Sequence, residues 1–251
     1  MRNTKEKPWY EQDDFWVTFE SVLFTQQRIT GAAEEVEQLV SLLDLQKPLS
    51  ICDLCCGVGR HSLELARRGF EVTGVDRTPR YLGRARSRAK EEGLNVEFVA
   101  SDARSFSRPE AFDVVLNLFT SFGYFEDGDD DRKVLENIYS SLKSGGRLVM
   151  ELVGKEALAR IFRERDWHEL DDAILLEERK LSEDWRRIEN RWILLKDGRQ
   201  HERRFSLRLY SAVELKELLK QCGFSQADIY GSLTGEPYDQ NAKRLVVVAQ
   251  K

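Results

Sequence analysis

The sequence of 251 residues has no long hydrophobic run. Leu245–Ala249 is among its longest purely apolar stretches, whereas a membrane-spanning helix needs roughly 18 apolar residues. The opening residues, MRNTKEKPWYEQDD, also lack the apolar core and the cleavage site of a signal peptide. We therefore expect a cytoplasmic protein without a membrane partner.

Cysteine and histidine are scarce, with four and three residues respectively. Cys52, Cys55 and Cys56 fall within five positions, which excludes a disulfide framework built from them. Cys52 and Cys55 have the spacing of a metal-binding or redox pair, but residues three apart point to opposite faces of a strand. The sequence has no second pair of this kind. We predict small buried cysteines in a reducing compartment, and no metal site.

An excess of basic charge is also missing. Lysine and arginine number 39 against 44 aspartate and glutamate, so the formal net charge is −5. This balance disfavours a nucleic acid as the default partner. Hydrophobic residues make up 41% of the chain and charged residues 33%, which is the composition of a globular protein with a sizeable core.

Strand-like and helical patterns alternate up to about residue 153, and strand-like runs return at the end of the sequence. The strand-like runs cover approximately residues 50–54, 71–76, 96–100, 112–116, 147–152, 226–230 and 244–249. Helical patterns between them end at glycines, such as Gly69 and the pair Gly145-Gly146. Strands that alternate with helices form a parallel sheet covered on both faces, so the sequence predicts an α/β fold.

The pattern changes between residues 167 and 209. Apolar and polar residues alternate on both sides of Asp197-Gly198, which is a strong hairpin signal. Together with the upstream run Ile174–Lys180, this pattern predicts an antiparallel three-stranded insertion.

Glycines connect the first predicted strand to its helix. Gly57 and Gly59 allow backbone N–H groups to approach a ligand at the positive end of that helix. Asp76 ends the second strand, where a carboxylate can accept hydrogen bonds from both hydroxyls of a ribose. These features indicate an adenine-nucleoside site, and a nicotinamide-dependent oxidoreductase is an open alternative at this point.

Two details separate the candidate ligands. The third glycine position of a dinucleotide fingerprint is occupied by Ser62, which weakens close packing over a pyrophosphate. Asp53 places a negative charge where a diphosphate would lie, and this charge suits a cationic ligand. After the third strand, the segment Ser101-Asp102-Ala103 offers a carboxylate for an exocyclic amine and a backbone N–H for an adenine ring. S-adenosylmethionine is a ligand of this kind, because it is a cationic derivative of adenosine and contains the ribose.

Five motifs in order resemble those of the class I S-adenosylmethionine-dependent methyltransferases. They are DLCCGVG at 53–59, Val75-Asp76, Ser101-Asp102, FDVVLN at 112–117 and LKSGGRL at 142–148. The family usually has glycine where this sequence has Cys55. The resemblance implies a Rossmann-like, seven-stranded, mostly parallel sheet with helices on both faces. Its expected strand order is 3-2-1-4-5-7-6, with strand seven antiparallel.

Within that family the sequence is most similar to small-molecule N- and O-methyltransferases. The similarity lies in Trp9-Tyr10, in Gln27–Thr30 and in Asn117–Phe125. It implies that Tyr10 and Arg28 hold the methionine carboxylate and that Asn117 and Leu118 line the methionine side of the pocket. Arg77, directly after Asp76, joins the expected cofactor site. The alternatives are that Tyr10 packs in the core and that Arg28 is a solvated surface residue.

The expected reaction is methyl transfer to a nitrogen or oxygen of a small molecule by in-line displacement, with alignment and desolvation as the main contributions. A general base is needed only if the acceptor arrives protonated. Tyr124 is the candidate, and His168 and Glu151 are further bases by chemistry alone. An RNA or protein methyltransferase, a nicotinamide oxidoreductase and a non-catalytic binding module are the alternatives. The aromatic residues of the N-terminal segment and of the insertion are expected to close over the acceptor as a lid, and a homodimer interface formed by these residues is the alternative.

We expect a single domain in four parts. Residues 1–46 form an N-terminal helical lid, and residues 47–153 form the cofactor-binding core. Residues 154–210 contain a helix and the antiparallel insertion, and residues 211–251 contribute a last helix and the strands that complete the sheet.

Overall fold

The computed structural model describes residues 7–182 and 184–251. After a 3₁₀ turn at Trp9–Glu11, the helices are α1 (Asp13–Thr18), α2 (Glu20–Leu23), α3 (Gln26–Leu43), α4 (Arg60–Arg67), α5 (Pro79–Glu91), α6 (Gly128–Ser141), α7 (Lys155–Ile161) and α8 (Ala212–Gln221). No helix in these ranges is both long and apolar enough to cross a bilayer.

Eleven strands are found in the same described residues, and they form two sheets. The strands are β1 (Ser50–Leu54), β2 (Glu71–Asp76), β3 (Val96–Ala100), β4 (Phe112–Asn117), β5 (Leu142–Leu152), β6 (Arg165–Leu170), β7 (Ala173–Leu181), β8 (Arg187–Lys196), β9 (Arg199–Arg208), β10 (Gln226–Tyr230) and β11 (Leu245–Gln250).

The larger sheet has the order β10-β11-β5-β4-β1-β2-β3. Strands β1 to β5 pair in parallel, whereas β11 pairs antiparallel with both β5 and β10. The predicted Rossmann-like sheet and its strand order are therefore confirmed, with β11 as the antiparallel strand. The connections diverge at β1, which lies between β2 and β4, and ligands of such sheets bind in the crevice at the carboxyl ends of the strands there.

The second sheet has four antiparallel strands, in the order β6-β7-β8-β9, so the prediction of three strands was wrong. The missing strand is β6, an edge strand that pairs only with β7. Its sequence RDWHEL contains no apolar alternation, and most of its residues are exposed. Only pairing with β7 makes this segment a strand, and that pairing is a tertiary contact.

Helices cover both faces of the larger sheet. On one face the apolar side of α3, including Val36 and Leu39, packs against Ile51 and Val114. On the other face α6 and α8 contribute Leu135, Ile138, Leu215 and Leu219. A third cluster joins α1 and α2 to the inner face of the second sheet, through Phe15, Phe19, Leu175, Leu194 and Phe205. The N-terminal segment and the second sheet therefore share one core.

Asp131 is a fully buried carboxyl in the first turn of α6. Its Oδ2 accepts hydrogen bonds from the Tyr210 hydroxyl (2.8 Å) and from Arg208 Nε (3.1 Å). Its Oδ1 has no partner among the described residues. Burial raises the pKa of Asp131 to about 6, although Tyr210 and Arg208 oppose the rise.

This pKa predicts a stability that increases on acidification. Because the folded-state pKa of Asp131 exceeds its unfolded value, the folded chain binds the proton more tightly, and the free energy of unfolding rises as the pH falls through about 6. A pKa shift of this size corresponds to a contribution of up to about 3 kcal/mol to the free energy of unfolding. We expect urea unfolding at pH 7 and at pH 4.5 to show that the free energy of unfolding of the wild type shifts upwards on acidification relative to that of Asp131→Asn. Asp129→Asn, exposed in the same turn, is the control; an equal pH dependence in all three proteins would contradict the assignment.

Candidate functional site

One cavity of about 690 Å³ lies at the carboxyl ends of β1, β2 and β4 and continues to the second sheet and the N-terminal segment. This volume is typical of small-molecule sites. Ten of the residues predicted from the sequence line it: Tyr10, Arg28, Asp53, Gly57, Asp76, Arg77, Asp102, Ala103, Leu118 and Tyr124. Gly59 and Asn117 do not line it.

The turn after β1 has the left-handed backbone that its glycines permit. The φ of Gly57 is +57°, and its backbone N–H donates to Asp76 Oδ2 at 2.8 Å. A Cβ at Gly57 would lie 2.6 Å from Phe24 Cζ. Gly59, with φ of +74°, is the N-cap of α4 and packs towards Ala85. We conclude that Gly57 shapes the cavity wall, whereas Gly59 serves the turn and helix packing.

Cys55 stands in this turn with a φ of +64°, a conformation that glycine adopts at lower cost. Its side chain lines the cavity, and burial raises the pKa of the thiol well above its usual value. The thiol therefore stays protonated at neutral pH, which gives it no nucleophilic role.

The two carboxylates at the ends of β1 and β2 face the cavity without a cationic partner in the described part of the chain. Asp76 accepts hydrogen bonds from the backbone N–H groups of Gly57 (2.8 Å) and Thr78 (2.7 Å). Burial nevertheless raises the pKa of Asp76. Asp53 is 2% exposed and accepts a hydrogen bond from Ser62 Oγ at 2.5 Å. Buried charges without a partner are costly, so this end of the cavity favours a ligand that brings hydroxyl donors and positive charge.

Asp102 is oriented by Arg104. Its Oδ1 accepts from the backbone N–H and from Nε of Arg104, at 2.8 and 2.9 Å, and its Oδ2 accepts from Nη2 at 2.7 Å. Burial favours the protonated form of Asp102, but the hydrogen bonds and charge of Arg104 outweigh it and lower the pKa. A carboxylate has about four acceptor positions, so Oδ2 retains capacity for a ligand donor.

Arg28 is partly buried in the cavity wall. Its Nη1 donates to the carbonyl oxygens of Val22 (2.7 Å) and Leu23 (3.3 Å), and its guanidinium lies 4.6 Å from the centre of the Phe119 ring. It has no carboxylate partner among the described residues. Arg28 is therefore positioned by the protein and is not a freely solvated surface residue.

Two further guanidinium groups surround Arg28. Burial and the charges of Arg60 and Arg244 lower the pKa of Arg28. Both neighbours have carboxylate partners, since Arg60 pairs with Glu35 and Arg244 Nε lies 2.9 Å from Glu151. The positive charge left unpaired in this region is that of Arg28, which suits a ligand carboxylate.

Tyr10 and Arg77 belong to the contact between the N-terminal segment and the sheet. The Tyr10 ring packs edge-on against Phe125, with centroids 5.1 Å apart, and burial raises the pKa of its hydroxyl. Arg77 donates to the carbonyl oxygens of Tyr10 (3.2 Å) and Glu11 (2.5 Å). Among the described residues no hydrogen bond joins Tyr10 to Arg28. Arg77 thus fastens the N-terminal segment to the end of β2, and a joint carboxylate site of Tyr10 and Arg28 stays a prediction.

The loop after β4 carries the remaining predicted residues. Asn117 is fully buried, and its Nδ2 donates to the carbonyl oxygens of Leu54 (3.4 Å) and Ser121 (3.2 Å). Asn117 therefore lies behind the cavity wall and holds the loop after β4 in place. Tyr124 lines the cavity, but burial raises the pKa of its hydroxyl, which makes it a poor base at neutral pH. Glu151 accepts a hydrogen bond from Phe119 N at 3.0 Å and does not line the cavity.

The sequence analysis missed Glu177 and Arg179, which line the cavity from the inner face of the second sheet, beside the aromatic residue Trp192. Glu177 continues the alternation of the buried residues Ala173 and Leu175 along β7. Side chains at every second position of a strand lie on the same face, so the pattern places Glu177 on the buried face. A charged residue at such a position is the signal in the sequence that identifies Glu177. His168, from the neighbouring strand β6, also lines the cavity.

Comparisons with known proteins agree with this geometry. Residues 51–146 match the family described as a methyltransferase domain. The chain is 26% identical, over 80% of its length and 83% of the other protein, to YqeM of Bacillus subtilis (strain 168), which is provisionally named a methyltransferase. It is 32% identical to the glycine/sarcosine N-methyltransferase of Aphanothece halophytica, over 48% of this chain and 46% of that protein.

A solved structure, CalS10 from Micromonospora echinaspora with bound S-adenosylmethionine, has the same fold. CalS10 is an amino pentose methyltransferase, and it superposes with a TM-score of 0.68 at 21% identity, covering 100% of this chain and 99% of its own. The matched domain and the fold define an S-adenosylmethionine-dependent methyltransferase. The protein is an S-adenosylmethionine-dependent methyltransferase with the class I fold, which confirms the predicted family and cofactor.

Substitution of Arg28 distinguishes binding of the methionine part of the cofactor from binding of its adenosine part. If Arg28 holds the methionine carboxylate, Arg28→Ala should weaken S-adenosylmethionine about tenfold or more, because a hydrogen bond to a charged group contributes roughly 1.5–3 kcal/mol. It should leave 5′-methylthioadenosine, which has no carboxylate, within about twofold. Isothermal titration calorimetry with both ligands measures this, with Gln26→Ala, which is exposed in the same helix and does not line the cavity, as the control. Equal losses for the two ligands would assign Arg28 to fold stability.

Proposed function

We propose that this enzyme transfers the methyl group of S-adenosylmethionine to a nitrogen or oxygen of a small molecule. The observation that carries the proposal is the continuity of the cavity. It runs from the aspartates at the strand ends to a region walled by aromatic and aliphatic side chains of the N-terminal segment and the second sheet. A wall of this kind suits a small acceptor, because a nucleic acid or a protein needs an open surface.

The unpaired charges of the cavity fit S-adenosylmethionine. Asp76 would accept the ribose hydroxyls, Asp53 would face the cationic end, and Arg28 would pair with the methionine carboxylate. Asp102, with the backbone near Ala103, would hold the adenine. When bound, the cofactor supplies an electrophilic methyl group, and the protein aligns the acceptor with it and excludes water.

The basic residues of the second sheet support a small acceptor over RNA. Arg191 pairs with Glu178 and Glu202, at 2.8 and 2.7 Å. Arg203 pairs with Asp14 in the N-terminal segment. Arginines engaged in this way are not available to phosphates without breaking ion pairs. The names of the two relatives described above, a glycine/sarcosine N-methyltransferase and an amino pentose methyltransferase, also support a small acceptor. We further propose a cytoplasmic location, which the four free cysteines fit.

The test combines binding and turnover. Isothermal titration should give micromolar dissociation constants for S-adenosylmethionine and S-adenosylhomocysteine and no binding of NAD. Release of S-adenosylhomocysteine should then be measured with a panel of small amines and alcohols and, separately, with total RNA. Turnover with a small acceptor that is insensitive to salt supports the proposal, and salt-sensitive turnover with RNA alone contradicts it.

A further inference from the structure

Glu177 is a carboxylate on the otherwise apolar inner face of the second sheet. It lies on β7 two residues after the buried Leu175, and its side chain is only 7% exposed. It stands directly opposite Trp192 of β8 in the antiparallel register. Charged residues are rarely buried at such positions, and both Glu177 and Trp192 line the cavity.

The two oxygens of Glu177 have different environments. Oε2 accepts from His168 Nε2 at 2.9 Å and from Arg179 Nη2. Oε1 has no hydrogen-bond partner in residues 7–182 and 184–251. Because the Glu177 side chain lines the cavity, this free oxygen is available to a donor on a bound molecule. Oε1 is not among the fully enclosed polar atoms that lack a partner, so it has accessible surface.

Aromatic rings line the cavity near this carboxylate. Phe205 lies 4.9 Å from Trp192 and 5.1 Å from Trp9, measured between ring centroids. Trp9 in turn lies 5.0 Å from Tyr124. The faces of aromatic rings attract cations, and a cation held by several rings beside a carboxylate is a common form of ammonium recognition. Both features suit an amine nitrogen, which is positively charged when it enters as an ammonium and becomes positively charged again when it receives the methyl group.

Glu177 is also close to the proposed methionine end of the cofactor. Its charge is one of the two that oppose the lowering of the pKa of Arg28. Glu177 is therefore close enough to Arg28 for the two charges to interact, and both residues line the same cavity. The reactive end of the cofactor and the free oxygen of Glu177 belong to one continuous space.

We propose that Glu177 and the rings of Trp9, Trp192 and Phe205 form a subsite that binds an amine of the methyl acceptor, so that nitrogen, not oxygen, receives the methyl group. This inference rests on the proposed function and specifies its substrate class. An ammonium that enters the subsite first releases one proton to water; the lone pair of the neutral amine then forms the new N–C bond, the electron pair of the broken S–C bond stays on sulfur, and the positive charge moves to nitrogen. Glu177 Oε1 accepts an N–H of that nitrogen and stabilises the developing charge.

An amine also agrees with the weak bases of the site. A hydroxyl must lose its proton to become a good nucleophile, whereas a neutral amine already has a lone pair. Two base candidates line the cavity: Tyr124 has a raised pKa and stays protonated at neutral pH, and the Nε2 of His168 is engaged with Glu177 at 2.9 Å. The site therefore suits an acceptor that needs binding and charge stabilisation rather than deprotonation by a strong base.

The test uses three probes with one skeleton: cyclohexylmethylamine, cyclohexylmethanol and cyclohexanecarboxylate. Their dissociation constants are measured on the full-length protein saturated with S-adenosylhomocysteine. We expect the wild type to bind the amine at least tenfold more tightly than the other two. Glu177→Gln, which keeps the size and an acceptor oxygen for Arg179 and His168, should lose this preference. Glu177→Asp, which keeps the charge, should retain part of it.

Glu178→Gln is the matched control, because it makes the same change one residue further on. Glu178 faces the opposite side of the strand and pairs with Arg191; this variant should keep the amine preference. A wild type without amine preference, or an unchanged preference in Glu177→Gln, would overturn the inference. Failure of S-adenosylhomocysteine to bind the wild type would instead refute the proposed function, so the two failures are distinguishable.

Discussion

Asp76→Ala is expected to raise the dissociation constant of S-adenosylmethionine about a hundredfold or more. Two ribose hydroxyls would lose a charged acceptor, and each such hydrogen bond contributes roughly 1.5–3 kcal/mol. Isothermal titration calorimetry on the wild type and the variant measures the difference. A loss of less than threefold would mean that the ribose is held elsewhere.

Asp76 also accepts hydrogen bonds from Gly57 and Thr78, so its replacement could act through the turn. Asp76→Asn keeps one acceptor oxygen and removes the charge, and it should therefore show an intermediate loss of affinity. The melting temperature of both variants without ligand provides the control. A variant with a much lower melting temperature and a small change in affinity would assign Asp76 to the turn and not to the ribose.

The second large effect is expected from the N-terminal segment. Trp9 packs against Tyr124 and Phe205 and so joins this segment to both the sheet and the insertion. Trp9→Ala should slow methyl transfer at least tenfold, because water would enter the cavity and solvate the acceptor. Deletion of residues 1–12, part of which lies outside the described residues, should abolish transfer while the core keeps a cooperative melting transition.

Trp167→Ala is the matched control for Trp9→Ala. Trp167 is 58% exposed on β6 and does not line the cavity, so its removal should leave the rate of transfer within about twofold. Normal turnover by the truncated protein would defeat the lid proposal. Analytical ultracentrifugation of the same proteins tests the alternative, a dimer interface in this segment. A wild-type dimer that becomes a monomer on truncation would favour that interface.

Local sequence patterns predicted the central sheet because they depend on neighbours along the chain. The period of two in the strands, the stops at glycine and the spacing from Gly57 to Asp76 each follow from backbone geometry. These patterns placed Asp53, Asp76 and Asp102 at successive strand ends, and the parallel sheet brings those ends to one edge. The structure confirms this sheet, and all three residues line one cavity.

Only the tertiary structure decided which partner each polar side chain has. Asn117 faces a buried loop, Arg77 binds the N-terminal segment, and Asp102 is engaged by Arg104. The contacts of Asn117 and Arg77 have no signature in spacing, because they join segments that are distant along the chain, whereas the contact between Asp102 and Arg104 is local.

The same limit explains β6 and Glu177. An edge strand with little apolar alternation forms only when its neighbour supplies hydrogen bonds, and Glu177 faces a cavity only because the second sheet packs on the N-terminal helices. The sequence by itself determined the cofactor half of this protein, since that half is built from regular local elements. The tertiary structure decided the acceptor half, because long-range packing alone fixes which side of an antiparallel strand meets the cavity.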